Sequence, residues 1–402
     1  MQDVYLYDGI RTPFGRHGGD LASVRPDDLL GRVLATLVER NDFSSEEYEE
    51  VLAGCTNQAG EDSRNLARHA ALLAGLPIEV AGQTVNRLCG SGLAAVMDAA
   101  RAVRSGEGEL FLAGGVESMS RAPYVLGKAE TPFARNQPMY DTVIGSRFPN
   151  PRITREFGSH SMPETADNIA HDLGISREAS DTFAATSQAR YAAALAGGFY
   201  TEELLPIEVP QGRKQPPRQV SLDEHPRPQS DFAALDRLNP LFEEGVVTAG
   251  NASGLNDGAA ALIVGSRSAG ERAGVRPRAR ILAGAVAGVA PRVMGLGPVP
   301  ASQKALARAG LKLEQMDVIE INEAFAVQVL GCLEGLGLSA DDSRLNANGG
   351  AIAIGHPLGA SGARLALTAL RQLEATGGRY ALVTMCIGVG QGIACVIERM
   401  EG

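Results

Sequence analysis

Two cysteines and one histidine are the residues here whose types and settings could do chemistry. Cys89 sits in Asn86-Arg87-Leu88-Cys89-Gly90-Ser91-Gly92, just ahead of an apolar run. His356 sits in the glycine-rich, otherwise apolar stretch from Asn348 to Gly359. Cys386 follows the apolar run Tyr380 to Met385 and precedes Ile387-Gly388-Val389-Gly390-Gln391-Gly392. Singly, a free cysteine is more often a small buried hydrophobe, and a lone histidine a satisfied core residue. Together they match one chemistry. Making or breaking a carbon–carbon bond between thioesters needs a nucleophile that can carry an acyl group. It also needs a base that removes a proton alpha to the carbonyl. Two thiols and one imidazole supply both, and neighbouring glycines leave bare N–H groups for an oxyanion.

The elements around these residues must bring them together. Gly90 and Gly92 predict a tight turn and close backbone approach. The residues Leu93 to Met97, with Ala99 and Ala100, are apolar and predict a buried helix to about Arg104. A thiol at its amino end meets unpaired N–H groups and the positive helix pole, which predicts an easily formed thiolate at Cys89. The G-x-G-x-G after Cys386 opens no helix and is too weak for a dinucleotide loop.

Strands are predicted at Val4 to Gly9, Val51 to Cys55, Leu110 to Gly115, Ala259 to Val264, Ile281 to Val289, Asp317 to Ile321 and Tyr380 to Met385. Helices are predicted at Leu29 to Glu39, Arg64 to Leu73, from Asn322–Ala326 onward, and at Ala363 to Leu373. This alternation predicts a layered α/β protein. Leu88-Cys89-Gly90-Ser91-Gly92 and Leu358-Gly359-Ala360-Ser361-Gly362 each precede an apolar helix. Each is followed, 18 residues after its last glycine, by a strand. Equal spacing of like elements predicts two lobes of one topology, with both helix amino ends at one cleft. Between about 121 and 250 lie 13 of the 21 prolines, so the sheet should not continue there. Within it, Ser176 caps a helix predicted over Arg177 to Ala196, stopped by Gly197-Gly198. The basic turn from Gln211 to Arg218 is a solvated loop or a contact for a phosphate-bearing ligand.

At 402 residues the chain is long enough for two or three lobes. A net charge of −10 argues against nucleic acid as the main partner. The five cysteines form no C-x-x-C pair, and no secretory leader is evident, which predicts reduced thiols in the cytoplasm. No apolar run is long enough to cross a membrane. The scattered histidines make a zinc site, or any resident metal, unexpected.

Several ordered motifs resemble the thiolases, acyl-CoA:acetyl-CoA C-acyltransferases. They are Asn86 to Gly92, Gly114-Gly115-Val116-Glu117-Ser118-Met119-Ser120, Gly250-Asn251-Ala252-Ser253-Gly254, Asn322-Glu323-Ala324-Phe325, Gly355-His356-Pro357 and Cys386-Ile387-Gly388. The resemblance runs along essentially the whole chain. It implies a thiolase-like α/β fold, two similar halves in a five-layer αβαβα stack with an inserted loop domain. The boundaries expected are 1–120 completed by 250–272, an insert at 121–249, and a second half at 273–402. It implies Cys89 as acylated nucleophile, His356 helping to take its proton, and Cys386 as the base and acid at the acetyl-CoA alpha carbon. His356 with a water held by Asn322 would form one oxyanion hole. The N–H groups of Cys89 and Gly388 would form the other. Ser253 and Ala249 would line the pantetheine of coenzyme A, and Arg227 would lie near its nucleotide. Met162, Phe242, Ala324 and Phe325 would give apolar walls. Coenzyme A enters as co-substrate with no permanently bound cofactor, and homodimers or tetramers are expected.

Val389, where many members have glycine, resembles instead the subgroup that cleaves 3-oxoadipyl-CoA in aromatic-compound breakdown. So do the stretches Arg11 to Arg16, Leu21 to Arg25, Gln58 to Asp62 and Asp223 to Pro228. A substrate ending in a carboxylate needs a cation or several donors; Arg16, His17 and His160 are candidates by composition. The rivals are the same chemistry on acetoacetyl-CoA or a range of 3-ketoacyl-CoAs, and a non-catalytic acyl-CoA-binding relative. A decarboxylating condensing enzyme is a third, which Cys386 argues against.

Overall fold

The computed structural model describes residues 2–212 and 215–401. Arg213 and Lys214 of the basic turn therefore lie outside the described residues, whereas Arg218 of the same turn is paired with Asp20 at 2.6 Å.

Nine strands make the frame: β1 Tyr5–Arg11, β2 Glu50–Gly54, β3 Ala81–Val85, β4 Leu110–Ser118, β5 Asn256–Gly265, β6 Ala279–Gly288, β7 Val318–Ile321, β8 Tyr380–Ile387 and β9 Gln391–Arg399. Their order is β7-β8-β9-β6-β1-β5-β4-β2-β3, and a two-residue strand at Gly15–Arg16 pairs with β5. The β1–β6 pairing is short, Tyr5 with Arg280 and Leu6 with Ala279, and joins an amino-terminal sheet to a carboxyl-terminal one. β4 and β5 are buried along their whole lengths, as strands covered on both faces must be.

Six helices cover the sheets: α1 Pro26–Glu39, α2 Leu66–Leu73, α3 Ser91–Ser105, α4 Pro298–Ala309, α5 Ala326–Leu336 and α6 Leu358–Thr376. α3 and α6 pack on each other and touch strands of both sheets, so they form a central layer. α1 and α2 cover the outer face of the amino-terminal sheet, and α4 and α5 that of the other. The result is five layers, helix–sheet–helix–sheet–helix. Leu93, Val96, Leu365, Leu367 and Leu370 lie in the central core. Each such buried side chain contributes about 1.5–3 kcal/mol, so this shared layer binds the halves together.

Glycine at a φ that other residues avoid ends both central helices, Gly106 at 79° and Gly377 at 71°. The starts differ from the sequence reading. Gly90 has φ −81° and Gly92 is already helical; the left-handed residue is Leu88, at φ 48°. The glycines serve close approach. A Cβ on Gly92 would lie 2.5 Å from the Gly359 carbonyl oxygen, and one on Gly90 2.6 Å from Cδ1 of Ile387.

Two strands were not legible in the sequence. β3 is a half-exposed edge containing glycine and glutamine, and β9 begins at Gln391, among the alternating glycines after Cys386. α5 begins at Ala326, the last residue of the Asn322–Ala326 stretch where its start was expected.

Residues between β4 and β5 form two small hairpins and several helices. Arg177–Ala196 is helical, and Ser176 accepts a hydrogen bond from the Ala179 N–H at 3.1 Å. Arg11 of β1 fastens this region to the sheet. Its guanidinium donates to Glu203 at 2.5 Å and to both oxygens of Asp223 at 2.6 and 2.9 Å. All of these side chains are fully buried. Removing one partner of such a network costs about 3–5 kcal/mol, because it strands a buried charge.

Candidate active site

The amino ends of α3 and α6 meet. A Cβ on Gly92 would sit 3.0 Å from the Ala363 nitrogen, and one on Gly362 would run into the Leu93 nitrogen. These are equivalent positions of the repeat, so the two helices cross about a pseudo-twofold within their first turns. Cys89 and His356 each lie three residues before a glycine of this crossing, Gly92 and Gly359. Both therefore belong to the same end of the central layer. The third group arrives on β8, whose end carries Cys386 and whose hairpin turn into β9 carries Gly388 and Val389.

Contacts tie these loops together. The Gly388 amide lies close enough to the Cys89 sulfur to favour its thiolate, and Cys386 lies close enough for its charge to couple to that of Cys89. Gly388 faces Cδ1 of Leu88 and the sulfur of Met162. Cys386 shares an apolar cluster with Ala324 and Phe325, against which Met162 and Ala252 pack. Asn322, fully buried, places its Nδ2 3.4 Å from His356 Nε2. Its Oδ1 is buried without a protein partner. On the other side of the ring, Nδ1 lies 2.6 Å from Ser361 Oγ. The backbone N–H of His356 donates to Asn256 Oδ1 at 2.8 Å, and Asn256 Nδ2 donates to the Gly15 carbonyl at 3.0 Å.

The electrostatics correct one expectation. Cys89 is partly open to solvent, yet burial pushes its thiol up to about 11, although the Gly388 and Cys89 amides favour thiolate. Glu117 adds to the rise. Desolvation thus outweighs the helix pole, and the free nucleophile is a thiol that must give up its proton. Cys386, buried beside Cys89, is pushed well above the ordinary thiol range, first by burial. Burial, with help from the Arg364 charge, holds His356 down to about 3, so the ring is neutral. A neutral imidazole at the same helix crossing as a protonated thiol is the pairing from which a general base is drawn.

The structure does not draw every expected residue to this cluster. Ser253 is linked to it through its N–H to the Ala324 carbonyl, 2.9 Å, beside the Ala252–Phe325 bridge. Arg227 and Ala249 lie on the surface, and Phe242 is 41% exposed. Arg16, His17 and His160 are exposed. Arg16 leans on Glu224 at 3.4 Å, and His160 is 3.4 Å from Asn168.

Three residues were missed as contributors in the sequence. Glu117 is a buried carboxylate that accepts from the N–H groups of Thr56, Asn57 and Gly359 at 3.0, 3.2 and 3.0 Å. It thereby ties the loop after β2 to the start of α6. A charged residue ending the apolar strand Leu110–Ser118 was the signal for it. Asn256 and Ser361 carried no such signal, since each lies in an ordinary-looking polar turn or cap.

The chain matches family models for the thiolase amino-terminal domain over residues 4–268 and the thiolase carboxyl-terminal domain over 275–399. The chain belongs to the thiolase family. It is 55% identical over 402 residues to the beta-ketoadipyl-CoA thiolase of Acinetobacter baylyi, with all of both chains covered. It is 56% identical, again over the whole of both, to the 3-oxoadipyl-CoA/3-oxo-5,6-dehydrosuberyl-CoA thiolase of Escherichia coli K12. Among solved structures it is similar to human mitochondrial 3-ketoacyl-CoA thiolase in complex with CoA. That match has a TM-score of 0.91 and 40% identity, and covers 99% of this chain and 98% of the human one. Among the described residues no helix is long and apolar enough to cross a membrane.

Proposed function

We propose that this thiolase cleaves 3-oxoadipyl-CoA with coenzyme A, giving succinyl-CoA and acetyl-CoA through an acyl-enzyme on Cys89. The observation that carries the chemistry is the meeting of the Cys89 and His356 loops at one helix crossing, with Cys386 and the Gly388 amide close to the Cys89 sulfur. The full-length identity to the Acinetobacter and Escherichia enzymes supports the acyl group.

In cleavage, His356 takes the Cys89 proton and the sulfur attacks C3 of the substrate. The C2–C3 bond breaks, and acetyl-CoA leaves as an enolate that Cys386 protonates at C2. Coenzyme A, its thiol proton taken by the Cys386 thiolate, then attacks the acyl-Cys89 thioester and takes the acyl group, and the departing Cys89 sulfur recovers its proton from His356. The N–H groups of Cys89 and Gly388 hold the oxyanion on C3. His356 and a water on Asn322 hold the enolate oxygen, a role supported by the unpartnered, buried Asn322 Oδ1. Met162, Ala324 and Phe325 form apolar walls around the acyl group, with Phe242 nearer the surface. Ser253 and Ala249 flank pantetheine, and Arg227 meets the nucleotide end. Arg16, His17 and His160 are the candidates for the substrate carboxylate.

Coenzyme A acts as a co-substrate and no cofactor is retained. β3 is a free sheet edge, and Leu72, Leu73 and Ile78 are exposed near it. An uncovered edge with exposed apolar neighbours supports a homo-oligomer, dimer or tetramer, working in the cytoplasm.

A substrate panel tests the reading. Turnover on 3-oxoadipyl-CoA should exceed that on acetoacetyl-CoA and on straight-chain 3-ketoacyl-CoAs by tenfold or more in kcat/KM. The reverse order would reject the assigned acyl group, and absence of all CoA-dependent thiolysis would reject the chemistry.

A further inference from the structure

We propose that Ser361 is a positioning residue that fixes the tautomer of His356 and so keeps its Nε2 unprotonated, as the acceptor for the Cys89 proton. This rests on the reading of His356 as the group that receives that proton.

The assignment follows from counting hydrogens. Ser361 is fully buried in the first turn of α6. Its Oγ lies 2.6 Å from His356 Nδ1 and 2.9 Å from the Pro357 carbonyl oxygen. A serine hydroxyl has one proton, and a carbonyl can only accept. With that proton on the bond to Pro357, Oγ must accept at its other contact, so Nδ1 carries the ring hydrogen. In a neutral imidazole the other nitrogen is then bare. Nε2 is in fact faced by a donor, the Asn322 Nδ2 group at 3.4 Å. The hydrogens of the whole chain run one way, from the Asn322 amide to Nε2, from Nδ1 to Oγ, and from Oγ to Pro357. The opposite tautomer would set the Nε2–H against the Asn322 NH2 and would pull the Ser361 proton off Pro357.

The repeat offers a comparison within the same molecule. Ser91, the equivalent of Ser361, donates from Oγ to the Leu88 carbonyl at 2.5 Å and accepts the Arg87 N–H at 2.8 Å. One half thus fills the acceptor side of its serine with a backbone N–H, and the other fills it with the imidazole. When Cys89 gives its proton to Nε2, the Nδ1–H stays on Oγ. The added proton later leaves from Nε2 to the departing sulfur, and the ring returns to its starting form.

Nitrogen-15 NMR of the full-length enzyme labelled at histidine tests this, with His356 identified by the signal lost in His356→Gln. The wild-type spectrum should show a protonated Nδ1 and a bare Nε2. In Ser361→Ala the signals should move toward a mixture of tautomers. Acylation of Cys89 by acetyl-CoA should slow tenfold or more, with KM within twofold of wild type. Ser361→Thr, which keeps the hydroxyl, should restore both. A wild-type ring protonated on Nε2 would overturn the proposal, even if the alanine variant did not fold. So would a Ser361→Ala enzyme with wild-type tautomer and acylation rate. Failure of wild type to acylate Cys89 would instead reject the reading of the site, and it leaves the tautomer result separate.

Discussion

Gly92 and Gly362 face the backbone of each other's helix at the crossing of α3 and α6. Neither has room for a side chain, because what a Cβ would strike is main chain. Gly92→Ala or Gly362→Ala should force the two amino ends apart. Overpacking of this kind costs about 1–3 kcal/mol. Urea unfolding should register that loss, and acyl-Cys89 formation should fall more than tenfold. Stability and acylation both at wild-type level would show that the crossing tolerates spreading.

The two thiols divide the chemistry in a testable way. Cys89→Ala should lose thiolysis by on the order of 10³-fold or more and bind no radiolabelled acyl group. Cys386→Ser should still take up the acyl group at Cys89 but fail to exchange the alpha protons of acetyl-CoA with deuterium oxide. Exchange at the wild-type rate in the serine variant would remove Cys386 from the proton-transfer step.

Glu117 receives three backbone N–H groups in a buried setting. Glu117→Gln would turn one acceptor into an NH2 aimed at donors. The expected loss is about 1–3 kcal/mol, measured as a lower thermal midpoint. Kinetic damage should follow, since the start of α6 hangs on the Gly359 bond. A neutral outcome in both would mean that water replaces these bonds.

Acid should destabilise the protein through its histidines. Burial, with Arg364, holds His356 at about 3, and burial, with Arg227 and Arg16, holds His225 at about 4. Both values lie below the ordinary 6.5, so the unfolded chain binds more protons between those limits. Stability is then complete above pH 6.5 and declines as pH falls toward the folded values. Each histidine accounts for on the order of 2 kcal/mol between pH 7 and pH 5. Denaturation at the two pH values measures the slope, and His225→Gln should make it shallower. An unchanged slope would show that His225 contributes none of it.

Val389 holds φ 63°, a left-handed conformation that a β-branched side chain adopts only under constraint. Val389→Gly should relieve about 1 kcal/mol of strain and raise the thermal midpoint. It should also loosen the Gly388 amide over Cys89, lowering kcat with little change in KM. A lower midpoint would show that the valine is held by packing.

Much of this was readable from residue order. Equal spacing after Gly92 and Gly362 located the repeat, and the apolar runs at Leu110–Gly115 and Tyr380–Met385 located its strands. Cys89, His356 and Cys386 stood out because polar atoms in glycine-rich, apolar surroundings are costly unless used. What the sequence hid was set by contacts between distant segments. The Cys89 thiol reads as activated when only its own helix is considered, and as suppressed once β8 and Glu117 enclose it. Ser361 reads as a helix residue until His356 is seen to lean on it. β3 escaped notice because an edge strand with one half-exposed face lacks a sharp pattern.

The position of β5 has a consequence for biosynthesis. It lies between β1 and β4, yet it is synthesised only after residues 119–255 have been added to the chain. Until then the nascent amino-terminal sheet has bare edges on β1 and β4 with no strand between them. A growing chain with such edges is prone to aggregate. Delay in elongation through the proline-rich segment would therefore prolong the interval in which chaperones are most needed.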